Sequence, residues 1–191
     1  MTNGKSALFH GTAGVLIAVV IIAGFVAGTY LLHPAKGTLT IQIMDKPVEL
    51  QNLFVTIEGV QIKDDNDNWQ DLALTNANEE DVFYFDLLAL EDVSETLSVA
   101  EVDEASYQMI WINVSSATAV YPDGEEDELT VPSNVIKVSF KPYLQINGGE
   151  EVTVLVDLQP DDLETIAISH SLNLRPVIKA IVPGTALELE P

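Results

Sequence analysis

The sequence contains no cysteine. Disulfides, a thiol nucleophile, thiolate metal sites and a lipid-modified cysteine anchor are therefore excluded, although oxidising compartments permit disulfides without requiring them. Basic residues are scarce, with eight Lys and Arg against 30 Asp and Glu, for a net charge of −22. Arg175 is the only arginine, and His10, His33 and His170 are the only histidines. Beyond residue 33 a single imidazole remains; Ser169 and Ser171 beside it are sequence neighbours, not a nucleophile–base–orienter arrangement. Phosphate loop, dinucleotide fingerprint and H-E-x-x-H are all missing. Thirty acids make chance carboxylate pairs unavoidable, and no pair stands in an apolar setting suited to a glycosidase acid. The sequence gives no reason to expect an enzyme.

What is present is divided sharply. Gly11 to Leu32 (GTAGVLIAVVIIAGFVAGTYLL) carries no charge. At about 1.5 Å per helical residue it spans a hydrocarbon core of roughly 30 Å. It exceeds the 7–15 apolar residues of a usual signal peptide and lacks a small-x-small cleavage site followed by a polar mature start, so it reads as an uncleaved anchor. Lys5 precedes it and the acids begin at Asp45, which predicts a cytoplasmic tail (1–10), a transmembrane helix (11–32), a linker (33–37) and an extracellular body. His10 and His33 read as boundary residues. Gly24 and Gly28 form a G-x-x-x-G pair that would let two such helices approach closely, a route to self-association. A pilin-like helix is the alternative, but Gly4-Lys5-Ser6 is a poor version of its basic leader.

From residue 37 onward, six basic residues face all thirty acids, a net of −24. Such a body repels phosphate backbones, which argues against nucleic-acid partners, and fits solubility in a salty medium where self-repulsion is screened. Its pattern is that of strands. Thr38–Met44 alternates, with Leu39, Ile41 and Ile43 on one face. Leu53–Lys63 alternates in two phases: Val55 and Ile57, then Val60 and Ile62 one residue out of step. The glycine at the slip predicts a β-bulge at Glu58-Gly59. Trp69–Leu74 is the hairpin partner of that strand. Val82–Leu90 reads as a buried strand or strand-plus-turn, and Leu97–Val102 as a short edge strand. Ser106–Tyr121 is the longest β-prone run, with Tyr107, Met109 and Trp111 on one side and Ile110, Ile112 and Val114 on the other, as in a central strand. Ile136, Val138 and Phe140 form another core face, followed by Tyr143–Ile146. Asn147-Gly148-Gly149 is a hairpin signal, and Val152, Val154, Val156 and Leu158 point inward. Pro160–His170 is a connection with room for a helical turn. Ser171–Val182 is the last strand, at an edge because of Pro176. About eight to ten strands with turn signals predict an antiparallel sandwich over 38–182, then a loose tail (183–191).

Few residues suggest a site. Asp64, Asn66 and Asn68 have the D-x-N-x-N spacing of a calcium loop, but Trp69 replaces the glycine, Thr75 the glutamate, and flanking helices are missing. A solvated hairpin tip is the plainer reading, with Ca2+ as the one conceivable cofactor. Asn113-Val114-Ser115 is the only N-glycosylation sequon, and its mid-strand position counts against use. Arg175 suits planar pairing with a carboxylate, with Asp45 or Asp157 as partner.

The order of several motifs is similar to a known family. They are G-x-L-x-I-x-I-x-D-x-P (Gly37–Pro47), V-T-I-E-G-V-Q-I (Val55–Ile62), the Trp69 strand and F-D-L-L-A-L (Phe85–Leu90). Tyr107, L-T-V-P-S (Leu129–Ser133) and L-R-P-V-I (Leu174–Ile178) complete the set. Together they resemble a family of secreted or surface-anchored bacterial and archaeal proteins known only as a domain of unknown function. The resemblance implies an Ig-like or transthyretin-like sandwich and brings no catalytic residues. Members often carry a lipid-anchoring cysteine, here replaced by the apolar run, and Leu158-Gln159-Pro160 stands where a further aspartate is usual. The expectation is an anchored, non-catalytic surface module with a protein or glycan partner. A filament subunit and an accessory subunit of a membrane complex are the alternatives.

Overall fold

The structure, a computed structural model, describes residues 35–45, 48–91 and 93–184. The expectations for the tail, the apolar run with Gly24 and Gly28, residues 33–34 and residues 185–191 lie outside these. Among the described residues no helix is long and apolar enough to cross a membrane.

Among the described residues the body has ten strands: β1 (Lys36–Met44), β2 (Asn52–Asp64), β3 (Trp69–Leu72), β4 (Phe83–Asp86), β5 (Glu95–Asp103), β6 (Ala105–Val120), β7 (Glu126–Leu129), β8 (Val135–Ile146), β9 (Glu151–Pro160) and β10 (Leu174–Gly184). A 3-10 turn (Leu87–Leu90) follows β4, and one short helix, α1 (Leu163–Ser169), joins β9 to β10. One sheet runs β10-β9-β1-β5. In the other, long β2 and β6 pair at the centre, with β3 and β4 sharing the free side of β2 and β7 and β8 sharing that of β6. The two sheets enclose one apolar core, making a β-sandwich. It is not wholly antiparallel, because β1 and β9 run parallel. The Asn147–Glu150 turn explains this. It is tight (Glu150 N–H to Asn147 O, 3.0 Å) yet joins no hairpin. It carries the chain from β8 in one sheet to β9 in the other.

Alternation sets the core. Leu39, Ile41 and Ile43 are fully buried, and Val152, Val154 and Val156 opposite them are buried too. In β2 the register with β6 shifts between Ile57 and Gly59, so Glu58 is the extra residue and is exposed. Val55, Ile57, Val60 and Ile62 consequently all face inward, at 1% exposure or less. Tyr107 corrects the sequence reading. The register also slips between Tyr107 and Met109, which turns Tyr107 into the core while Met109 and Trp111 stay on the outer face. Its hydroxyl donates to Asp103 O at 2.6 Å. Burial, with the nearby Asp103 and Asp64 charges, pushes the Tyr107 phenol up to about 12.

The sheets are stitched at their rims. Ser98 Oγ donates to Ala73 O (2.8 Å) and Thr75 N–H to Leu97 O (3.0 Å), closing the chain after β3 onto edge strand β5. The body also begins earlier than the predicted linker allows. Glu104 N–H donates to Ala35 O and Gly149 N–H to Lys36 O, both at 2.7 Å, and Thr38 N–H to Glu150 O at 2.8 Å. Gly37 sits inside this clamp. A Cβ there would meet Ile146 Cγ2 at 2.6 Å and two carbonyl oxygens at 2.8 Å. Gly37→Ala should therefore cost about 1–3 kcal/mol by overpacking; a urea midpoint equal to wild type would refute the clamp.

Candidate functional site

The outer face of the six-stranded sheet carries both tryptophans of the chain. The β2–β3 hairpin sets Lys63 opposite Trp69; across β6, Gln61 opposes Trp111, and Trp111 opposes Lys137 of β8. The indoles meet diagonally over β2, with centroids 4.3 Å apart and planes tilted by 48°. Lys63 Nζ lies 5.6 Å from the Trp69 ring and Lys137 Nζ 5.1 Å from the Trp111 ring, distances at which a ring face attracts a cation. Trp69 remains 38% exposed. Lys63 also pairs with Asp67 at 2.6 Å, whereas Lys137 is exposed and has no ion pair among the described residues. An aromatic patch with an unneutralised cation thus stands on a body otherwise crowded with carboxylates. Alternation alone placed Trp111 opposite Ile110 and Ile112. Its meeting with Trp69 needed the β2–β6 register, which sequence did not supply.

At the hairpin tip, the three residues with calcium-loop spacing bond one another. Asp64 Oδ1 accepts from the Asn66 and Asn68 N–H groups (2.9 and 2.8 Å), and Asp64 Oδ2 from Asn68 Nδ2 (2.8 Å). Asn66 Nδ2 turns to Asp65. The carboxylate is the staple of the turn. Among the described residues no cluster of three or more His, Asp and Glu converges as a metal site.

Arg175 pairs with Asp161, correcting the expectation of Asp45 or Asp157. Register is the reason: Arg175 opposes Gln159 near the end of β9, and Asp157 opposes Val177. Lys179, the extra residue of a bulge between Ile178 and Ala180, takes Asp157 instead at 2.8 Å. Asn173 Nδ2 adds a second bond to Asp161 at 3.0 Å. Asp45, 3% exposed, ends β1, its N–H donating to Leu90 O. His170, the left-handed C-cap of α1, bonds Asp127 of β7 through Nδ1. Ser169 Oγ donates to Ser171 O and Ser171 Oγ to Thr130 O, so these groups strap α1 to β7. Asn113 lies on the outer face of β6, half-exposed, between Gly59 and Val135.

A two-sheet β-sandwich with an aromatic outer face is the class of module this chain represents. It belongs to the family described as Domain of unknown function (DUF4382), which matches residues 36–176, from the first residue of β1 into β10. No curated protein matches the chain.

The tip makes a testable statement about acid. Burial raises the Asp64 pKa, but bonds from the Asn68 side chain and backbone, the Asn66 N–H and the Lys63 charge outweigh it, and the net shift is downward. A depressed carboxylate stabilises the fold above its unfolded pKa, and that support is lost as pH falls through the folded value. Amide exchange at Asn66 and Asn68 should therefore accelerate, relative to core strands, below about pH 4. Protection unchanged down to pH 2 would contradict the staple.

Proposed function

We propose that the chain is a membrane-tethered, outward-facing β-sandwich of prokaryotic origin and Ig-like type that binds a partner at the cell surface without catalysis. The observation that carries this reading is the Trp69–Trp111 patch with Lys137. Tryptophan is among the residue types that dominate binding hot spots, Lys137 would add charge complementarity to an acidic partner, and exposed loops of such scaffolds are where contacts are made. The charge-free run 11–32 supports the tether, and the −24 body supports life in a polar, salty exterior. The filament alternative, by edge pairing of copies, draws less support. Edge strand β10 carries Pro176, Pro183 and the Lys179 bulge, devices that blunt strand addition.

The test is cross-linking on intact cells with a photoreactive group at position 137. A discrete partner should be captured, and Trp69→Ala should lower its recovery about tenfold, the effect of losing roughly 1.4 kcal/mol of contact, with circular dichroism unchanged. Equal recovery from Trp69→Ala would remove the patch as the binding face.

A further inference from the structure

We infer that Asn113 is a modification site: the acceptor of an N-linked glycan standing on the outer face of the six-stranded sheet. The inference rests on the outward placement proposed above. A mid-strand sequon invites the objection that its side chain is buried or engaged, and the structure answers both points. Within Asn113-Val114-Ser115, only Val114 enters the core, at 0% exposure. Asn113 is half-exposed on the outer face and its Nδ2 makes no hydrogen bond among the described residues, while Ser115 Oγ makes only a long one, to Thr56 O at 3.5 Å.

Directly across β2 stands Gly59. A Cβ at Gly59 would lie 3.4 Å from Asn113 Nδ2, so a longer side chain would occupy the space over the amide. Glycine leaves a notch there, lined by Glu58, Asp71, Ala73, Ala77 and Asp81 beside Asn113. The third sequon residue is displaced as well. Ile57 pairs with Val114 and Thr56 with Ser116, so Ser115 is the extra residue of a bulge in β6 and is exposed. Two bulges, Glu58 on β2 and Ser115 on β6, thus flank the acceptor and lift its surroundings off the regular ladder.

The chemistry requires a lipid-phosphate-linked oligosaccharide donor and its transferase. Asn113 Nδ2 forms a bond to the anomeric carbon; the bond from that carbon to the phosphate oxygen breaks, its electron pair leaving with the lipid phosphate, and one amide proton is released. Timing follows from register. The Asn113 backbone is held between Gly59 and Val135, so transfer must precede closure of β6 against its neighbours. Once folded, the glycan occupies the notch one step along the strand from Trp111.

The experiment uses the full chain purified from its native membranes. Cleavage after glutamate releases the peptide 105–125, whose mass should exceed the bare sequence by sugar residues placed on Asn113 by fragmentation. Asn113→Gln and Ser115→Ala, made in the native host, should each abolish the increment and increase gel mobility. Protease added to intact cells reports the placement separately. A body cut from outside with a bare Asn113 overturns this inference alone, and a protected body with a bare Asn113 overturns both it and the outward reading. A sugar increment that survives Ser115→Ala also overturns sequon-directed transfer.

Discussion

The pairing of β2 with β6 is the constraint on which the rest of the sandwich depends. These are the two longest strands, 13 and 16 residues, and every other strand of their sheet pairs with one of them. A side-chain period of two means that a one-residue slip would send half of each strand's apolar set into solvent. The strands avoid this by bulging at Glu58 and at Ser115, so that the slips compensate. Ile57 and Val60 are both buried only because Glu58 is surplus. The same bulges shape the outside, where Gly59 faces Asn113 and the register beyond it sets Gln61 beside Trp111 and brings that indole within reach of Trp69. Core and outer face are consequences of one alignment.

Charge is arranged around that frame by scarcity. Six cations cannot neutralise thirty acids, so where they are placed carries information. Lys63 and Lys137 lie over indole rings. Arg175 and Lys179 serve Asp161 and Asp157 at the β9–β10 edge. In both pairs the cation is exposed and the carboxylate is not: Arg175 is 71% exposed against 11% for the Asp161 side chain, and Lys179 45% against 4% for Asp157. A buried carboxylate deprived of its cation is costly. The bulge that aims Lys179 at Asp157 also interrupts the free edge of β10, so one residue neutralises a buried charge and discourages strand addition.

Much of this was legible in the sequence, for identifiable reasons. Leu39, Ile41 and Ile43, the β9 valines, the slip at Glu58-Gly59 and the edge position of Pro176 follow from local period and from proline's missing N–H. What escaped was non-local. Asn147-Gly148-Gly149 has hairpin chemistry, but whether strands pair across a turn depends on which sheet each joins, and here they part. Tyr107 was grouped on one side with Met109 and Trp111 because a bulge with no glycine leaves no mark in the pattern. Arg175 was rightly expected to seek a carboxylate, yet the choice of Asp161 over Asp157 or Asp45 required the β9–β10 register. The Trp69–Trp111 contact likewise depends on three strands at once.

The outer face of the six-stranded sheet therefore deserves separation into two zones with different physics. Around Trp69 and Trp111 the surface is aromatic, with Lys137 a cation that makes no ion pair among the described residues, and the two rings are already ordered by mutual contact. Around Asn113 and Gly59 the surface is a mixed notch in which Glu58, Asp71 and Asp81 stand beside Ala73 and Ala77, poorly suited to an anionic contact but tolerant of a hydrated, neutral group. A bulky polar substituent in that notch would bound the aromatic zone along β6 and limit approach to the side nearer the hairpin tip. There Asp64 holds the 64–68 turn, and with it the position of Trp69, through hydrogen bonds of 2.8–2.9 Å. The geometry of the aromatic face is thereby tied to the ionisation of one carboxylate at its rim.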